Sequence, residues 1–90
     1  MATILITYDL NKPGQDYKAV HEAIKKFPGW AHLMDSTWAV SGVGLTPYSV
    51  SDTLRAVMDK STSLFCVDIT GQARQGWLDK DMWEWFDKAA

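Results

Sequence analysis

Cysteine occurs once in this 90-residue chain, at Cys66, so no disulfide forms within it and packing alone has to hold the fold. A lone thiol inside the apolar run around Leu64–Val67 reads as a buried, inert group. It suits a reducing compartment and gives a cytoplasmic location as the expectation. Basic residues are also sparse. Nine Lys and Arg stand against eleven Asp and Glu, the formal net charge is −2, and the longest basic cluster is Lys25-Lys26. A basic stripe is the electrostatic footprint of a nucleic-acid binder, and its lack argues against tight, nonspecific binding. No apolar run approaches the ~20 residues that a membrane helix needs. The N-terminus lacks a basic segment followed by an apolar core, so neither a membrane span nor a signal peptide is expected.

What the chain does contain is aromatic and apolar. Apolar residues make up 47% of it, a normal globular share, but five tryptophans in one small chain are unusual. Ninety residues make a single domain, and a chain of this size buries only roughly two-thirds of its unfolded surface. Trp is seldom fully buried and is enriched at interfaces, so the surplus points to self-association.

Thr3-Ile-Leu-Ile-Thr-Tyr-Asp-Leu-Asn11 is the most informative stretch. Its β-branched alternation predicts a strand over 2–10, with Ile4, Ile6, Tyr8 and Leu10 on one face and Thr3, Leu5, Thr7 and Asp9 on the other. Asn11-Lys-Pro-Gly14 is a loop. Tyr17, Val20, Ile24 and Phe27 recur at helical spacing over 16–27, with Asp16 at the start and Pro28-Gly29 as the stop. Strands follow at 30–34 and 36–42 around a tight Asp35-Ser36 turn, although so short a run as Trp30–Met34 also admits a helix. A second helix is expected from about Val50 to Asp59, opened by Ser49 and Asp52 as a capping box. A last strand covers 64–70, and a short helix follows from Asp79, which can cap it.

The order β-α-β-β-α-β plus a helix is that of an α+β, ferredoxin-like sandwich. Right-handed crossovers place two helices on one face of a four-stranded antiparallel sheet. The other face is then left open, with Leu5, Thr7, Leu64, Cys66 and Asp68 on it. Such a half-apolar surface is suited to a homodimer.

Asp9 is the leading catalytic candidate, since a strand that delivers a carboxylate to its tip places it on a rigid element. The same carboxylate can instead close the Asn11–Gly14 loop through an Asx-type hydrogen bond. Asp68 is unusual within a strand, but the antiparallel geometry sets it well over 10 Å from Asp9 at ~3.3 Å per residue. His32 can serve as a base or pH sensor, or simply pack, and His21 borders the apolar side of the first helix. Neither makes a zinc motif with Cys66. Ser36, Thr37 and Ser41 lack a nucleophile elbow. Asn11, Lys12, Arg55 and Arg74 are weak binding candidates near loops. Trp38 is expected to pack in the sheet, and at least one of Trp77, Trp83 and Trp85 to stay exposed or enter an interface.

Ile-Thr-Tyr-Asp-Leu at 6–10, Pro-Gly-Trp-Ala-His-Leu-Met-Asp-Ser-Thr-Trp-Ala-Val at 28–40, and Leu-Phe-Cys-Val-Asp-Ile-Thr-Gly at 64–71 followed by Gly76-Trp77-Leu78 resemble the small Cas2-like proteins of bacteria and phages, also labelled SinR-family or CRISPR-associated Cas2-like. The resemblance spans nearly the whole chain, and the middle motif is its most specific part. It implies a ferredoxin-like homodimer. In some members it implies a metal-dependent nuclease, in others a scaffold in spacer acquisition. By the same resemblance Asp9 matches the metal-binding Asp at the end of strand one, paired with its copy across the dimer to hold one Mg²⁺.

Three functions are therefore expected in competition. The first is a metal-dependent endonuclease acting on RNA or DNA through an Asp9 pair. The second is a noncatalytic binder of nucleic acid, a nucleotide or a partner protein in a phage–host or defence setting. The third is a small-molecule enzyme using His32 as base in a cavity between helices and sheet.

Overall fold

The structure, a computed structural model, describes residues 1–9 and 17–89. The candidates Asn11 and Lys12, the loop they belong to and the helix-opening Asp16 lie outside the described residues. Seven elements follow one another: β1 (Ala2–Asp9), α1 (Tyr17–Ile24), β2 (Gly29–Met34), β3 (Thr37–Gly42), α2 (Pro47–Arg55), β4 (Ser63–Asp68) and α3 (Lys80–Ala89). The four strands form one antiparallel sheet in the order β2-β3-β1-β4. Among the described residues the protein is thus a small α+β fold of three helices and a four-stranded antiparallel sheet.

The β1 alternation works as read. Ile4 and Ile6 are fully buried and Tyr8 nearly so. They pack with Trp38 and Val40 of β3, Val20 and Ile24 of α1, and Val50 and Leu54 of α2. Helices α1 and α2 therefore cover one face of the sheet. Helix α2 begins earlier than the sequence suggested. Thr46, not Ser49, is its N-cap: Ser49 N–H donates to Thr46 Oγ1 at 3.0 Å, and Thr46 N–H donates to Ser49 Oγ at 3.1 Å. Pro47 explains the shift, because its fixed φ fits the first helical position, where no N–H is needed. Beyond α2, Asp59 Oδ1 accepts from both the backbone N–H and the hydroxyl of Ser61, which turns the chain back toward β4.

Two expectations about the second face are corrected. This face is not left open, because α3 lies against it and contacts β2. Ala31 and Ala39 sit directly opposite each other in β2 and β3. Two methyl side chains side by side leave a shallow seat, and Phe86 and Ala89 of α3 are buried. Leu5, Leu33, Ile69, Leu78, Trp83 and Phe86 line a 210 Å³ cavity between α3, the segment before it and the sheet.

The second correction concerns β4. Ile6 pairs with Cys66, Tyr8 with Leu64 and Ile4 with Asp68. Leu64, Cys66 and Asp68 therefore share the face of α1 and α2, and Leu64 and Cys66 pack against the core. Leu5 and Thr7 are on the second face as expected, but their neighbours there are Val67 and Phe65. The difference is one residue of register, fixed by the pairing of Asp9 with Ser63. One step of slip moves every side chain to the opposite face. A strand that is apolar at both parities gives periodicity nothing with which to decide.

Candidate functional site

The backbone of β4 is the most exposed binding chemistry that the fold creates. Ile69 N–H donates to Thr3 O at 2.9 Å, so the odd-numbered residues of β4 turn their hydrogen-bonding groups toward β1. Antiparallel ladders alternate strictly. Leu64, Cys66 and Asp68 therefore turn their N–H and C=O groups outward, at the edge of the sheet. No backbone bond from another described residue reaches them there. The opposite edge, β2, is protected by a register irregularity between His32 and Met34 and by Lys25 Nζ, 5.2 Å above the Trp30 ring. Strand β4 carries no Pro, Lys or bulge, the usual devices that blunt an edge.

Large side chains flank this edge. Phe65 is 60% exposed on the second face, and Tyr48 is 81% exposed at the start of α2 on the other. Pro47, Tyr48, Ser51 and Asp52 of α2 line a 380 Å³ groove with Leu64, Phe65 and Cys66. A second groove of 230 Å³ runs past Thr7, Tyr8 and Asp9 to Ser63, Leu64 and Phe65. Burial pushes the Cys66 thiol up to about 11, which keeps it protonated near neutral pH, as the sequence reading of an inert thiol expects.

Asp9 is exposed at the tip of β1. Thr7 and Ser63 share its face. Among the described residues, one copy thus presents one carboxylate with two hydroxyls on the same face. Mg²⁺ is commonly held by one or two carboxylates with waters and phosphate oxygens, so a pair drawn from the described residues needs a second copy. Asp68 does not supply the second acid. It pairs with Ile4, five residues along from the Asp9–Ser63 pair and on the opposite face, about 17 Å away at 3.3 Å per residue. Its Oδ1 accepts from Thr70 N–H at 2.9 Å, and hydrogen bonding to the Thr70 side chain first, then to its backbone N–H, holds the carboxyl below the usual range. Asp68 thus closes the turn into Gly71, whose φ of 69° favours glycine. Among the described residues, no group of three or more His, Cys, Asp or Glu is placed to hold a metal ion.

The two arginines are not brought together. Arg55 Nη1 donates to Thr62 O at 3.5 Å. Arg74 Nη1 donates to Gln72 O at 3.2 Å, and its guanidinium lies 4.8 Å from the centre of the Phe86 ring. Each has a local structural contact.

His32 belongs to a cluster that the sequence did not reveal. Its ring stacks on Trp38 at 3.8 Å and 8°, and its Nε2 lies 3.2 Å from Asp35 O. His21 packs edge-on to His32 at 5.3 Å and against Trp38 at 5.0 Å. The Trp38 Nε1–H donates to Tyr8 Oη at 3.3 Å. Burial, with His32 and Lys25 nearby, lowers the pKa of His21, and its Nε2 is buried without a hydrogen-bond partner among the described residues. The hairpin register was the missing signal, because His32 stands directly across from Trp38. Trp77 is the fully exposed tryptophan that the sequence required. Among the described residues, no helix is long and apolar enough to cross a membrane. Comparison with family models, curated proteins and solved structures returns no match to this chain.

Proposed function

We propose that the chain is a noncatalytic binding module, Cas2-like and ferredoxin-like, that holds an extended protein segment along β4. The element order and the antiparallel strand order support the fold assignment. The single observation that carries the function is the open β4 edge, with the backbone groups of Leu64, Cys66 and Asp68 turned outward between Phe65 and Tyr48. Strand addition takes its affinity from such backbone groups and its specificity from the side-chain grooves beside them. A net charge of −2 with scattered cations favours a protein partner over a nucleic acid. A phage–host or defence setting accompanies the Cas2-like assignment. The test is selection of short, proline-free peptides against the immobilised protein, followed by amide hydrogen exchange. Selected peptides should slow exchange at Leu64, Cys66 and Asp68. Peptides that bind elsewhere, or no binders at all, overturn the reading.

A second reading keeps the metal-dependent endonuclease, because Asp9 is exposed at a strand tip beside a groove. In it, Asp9 and a second copy's Asp9 hold Mg²⁺, which would supply an activated water and charge neutralisation at a phosphodiester. A panel of single- and double-stranded RNA and DNA with Mg²⁺, Mn²⁺ or EDTA, comparing wild type with Asp9→Asn, decides it. Metal-dependent cleavage lost in the variant supports this reading, and its absence in repeatedly purified wild type removes it.

A further inference from the structure

We infer that the cavity between α3 and the sheet binds a small aromatic monocarboxylate, with the ring against the apolar walls and the carboxylate on Arg74 at the mouth. The cavity shares no lining residue with the two grooves beside β4, so the inference goes beyond the β4 reading and stands without it.

The topology sets two chemistries side by side. Leu5 of β1, Leu33 of β2 and Ile69, just after β4, form one wall, and Leu78, Trp83 and Phe86 form the other. Leu5 stands directly across from Ala39, whose methyl leaves room beside it. Phe86 is 4% exposed, whereas Leu5, Leu33, Ile69, Leu78 and Trp83 are only half-buried. Half-buried apolar groups around an unfilled space are stabilised by a ligand that removes them from water.

The polar groups stand at the mouth. Gln72, Arg74 and Gln75 line the same cavity and are exposed. Arg74 is the charged group of this lining, and among the described residues no Asp or Glu lines it. An anion is therefore matched there and a cation is not. The guanidinium is already positioned. It lies 4.8 Å from the centre of the Phe86 ring, and its Nη1 donates to Gln72 O at 3.2 Å. These contacts use one of the five donors of a planar fork whose geometry fits a carboxylate. One positive charge suits a monoanion better than a phosphate dianion. The amides of Gln72 and Gln75 supply further neutral donors. A mostly apolar lining with a few polar groups that fix orientation is the usual make-up of a small-molecule site.

Size narrows the class. A cavity of ~150 Å³ accepts benzene, and sites for drug-sized ligands start at about 300 Å³. The 210 Å³ here lies between. It matches a single ring with a short acidic arm. Trp83 and Phe86 favour an aromatic ring, which packs offset or edge-on against theirs.

Titration of the isotope-labelled protein with phenylacetate, followed by nuclear magnetic resonance, tests the site. Phenylacetamide, of nearly the same shape but uncharged, is titrated in parallel. Phenylacetate should bind wild type with a Kd on the order of 0.1–1 mM. It should shift the backbone signals of Leu5, Leu33 and Ile69 and the indole signal of Trp83. Phenylacetamide should bind at least about tenfold more weakly. Arg74→Gln, which changes an exposed side chain, should lower the affinity for phenylacetate to that for phenylacetamide, with unchanged circular dichroism. No saturable shift at millimolar phenylacetate overturns the inference. Equal affinity of wild type for the two compounds, or undiminished phenylacetate binding by Arg74→Gln, overturns the carboxylate assignment. Shifts confined to Tyr48, Ser63, Phe65 and Cys66 would place the ligand beside β4 and overturn this site.

Discussion

Trp38 and Tyr8 are the polar joint of the core, and removing either should cost more than removing both would suggest. Trp38 is fully buried, Tyr8 is 5% exposed, and the indole N–H donates to the phenol oxygen at 3.3 Å. Trp38→Phe deletes the donor and part of the ring, and leaves the Tyr8 hydroxyl in an apolar layer. An orphaned buried polar group costs about 1–3 kcal/mol. With the lost ring volume, the total reaches roughly 2–4 kcal/mol. Tyr8→Phe orphans the indole N–H instead and should cost about 1–3 kcal/mol. The double variant has neither orphan, so its cost should fall short of the sum by about 1 kcal/mol or more. Domains of this size have on the order of 5–13 kcal/mol of stability, so each single variant stays folded. Each kcal/mol moves the melting temperature by about 4–8 °C. Urea denaturation followed by far-ultraviolet circular dichroism measures all three. Costs that add within about 0.3 kcal/mol would refute the coupling.

Phe86→Ala, which removes the buried ring of α3 from beside Leu5, Leu33 and Ile69, should cost about 3–5 kcal/mol, read by urea denaturation. A loss under 1 kcal/mol would mean that α3 is not anchored there. Thr46→Ala should cost about 0.5–2 kcal/mol through the lost cap of α2, measured in the same way. For His21, burial puts the folded value below its ordinary 6.5, so the unfolded chain binds the proton first. Stability is then full above pH 6.5 and falls as pH drops from there to the folded value. His21→Phe should flatten that slope in denaturation curves taken from neutral to mildly acidic pH, and an unchanged slope would assign it to other groups.

The layers of the fold were legible where periodicity was one-sided. Ile4, Ile6 and Tyr8 alternate with Thr3 and Thr7, and Val20 and Ile24 recur at helical spacing, so the core was readable from these positions. The face of β4 was not legible, because Leu64 and Cys66 are as apolar as Phe65 and Val67, and one step of register exchanges them. The start of α2 was displaced because Ser49 serves Thr46 from inside the helix and Pro47 marks the first turn. The seat for α3 was hidden as well. Its signal is two alanines brought together by the hairpin register, not a pattern within one segment. At the candidate site, Asp9 was found where the sequence put it. The open edge needed the ladder parity, which one hydrogen bond between Ile69 and Thr3 fixes.

Amide hydrogen exchange, residue by residue along β4 in the free protein and with a selected peptide bound, tests the open edge most directly. In dilute solution Phe65 and Val67 should be protected by β1 while Leu64, Cys66 and Asp68 exchange freely. With a selected peptide bound, the latter three should become protected together. Protection of Leu64, Cys66 and Asp68 in dilute solution would mean that the chain covers its own edge, contradicting β4 as the recognition strand.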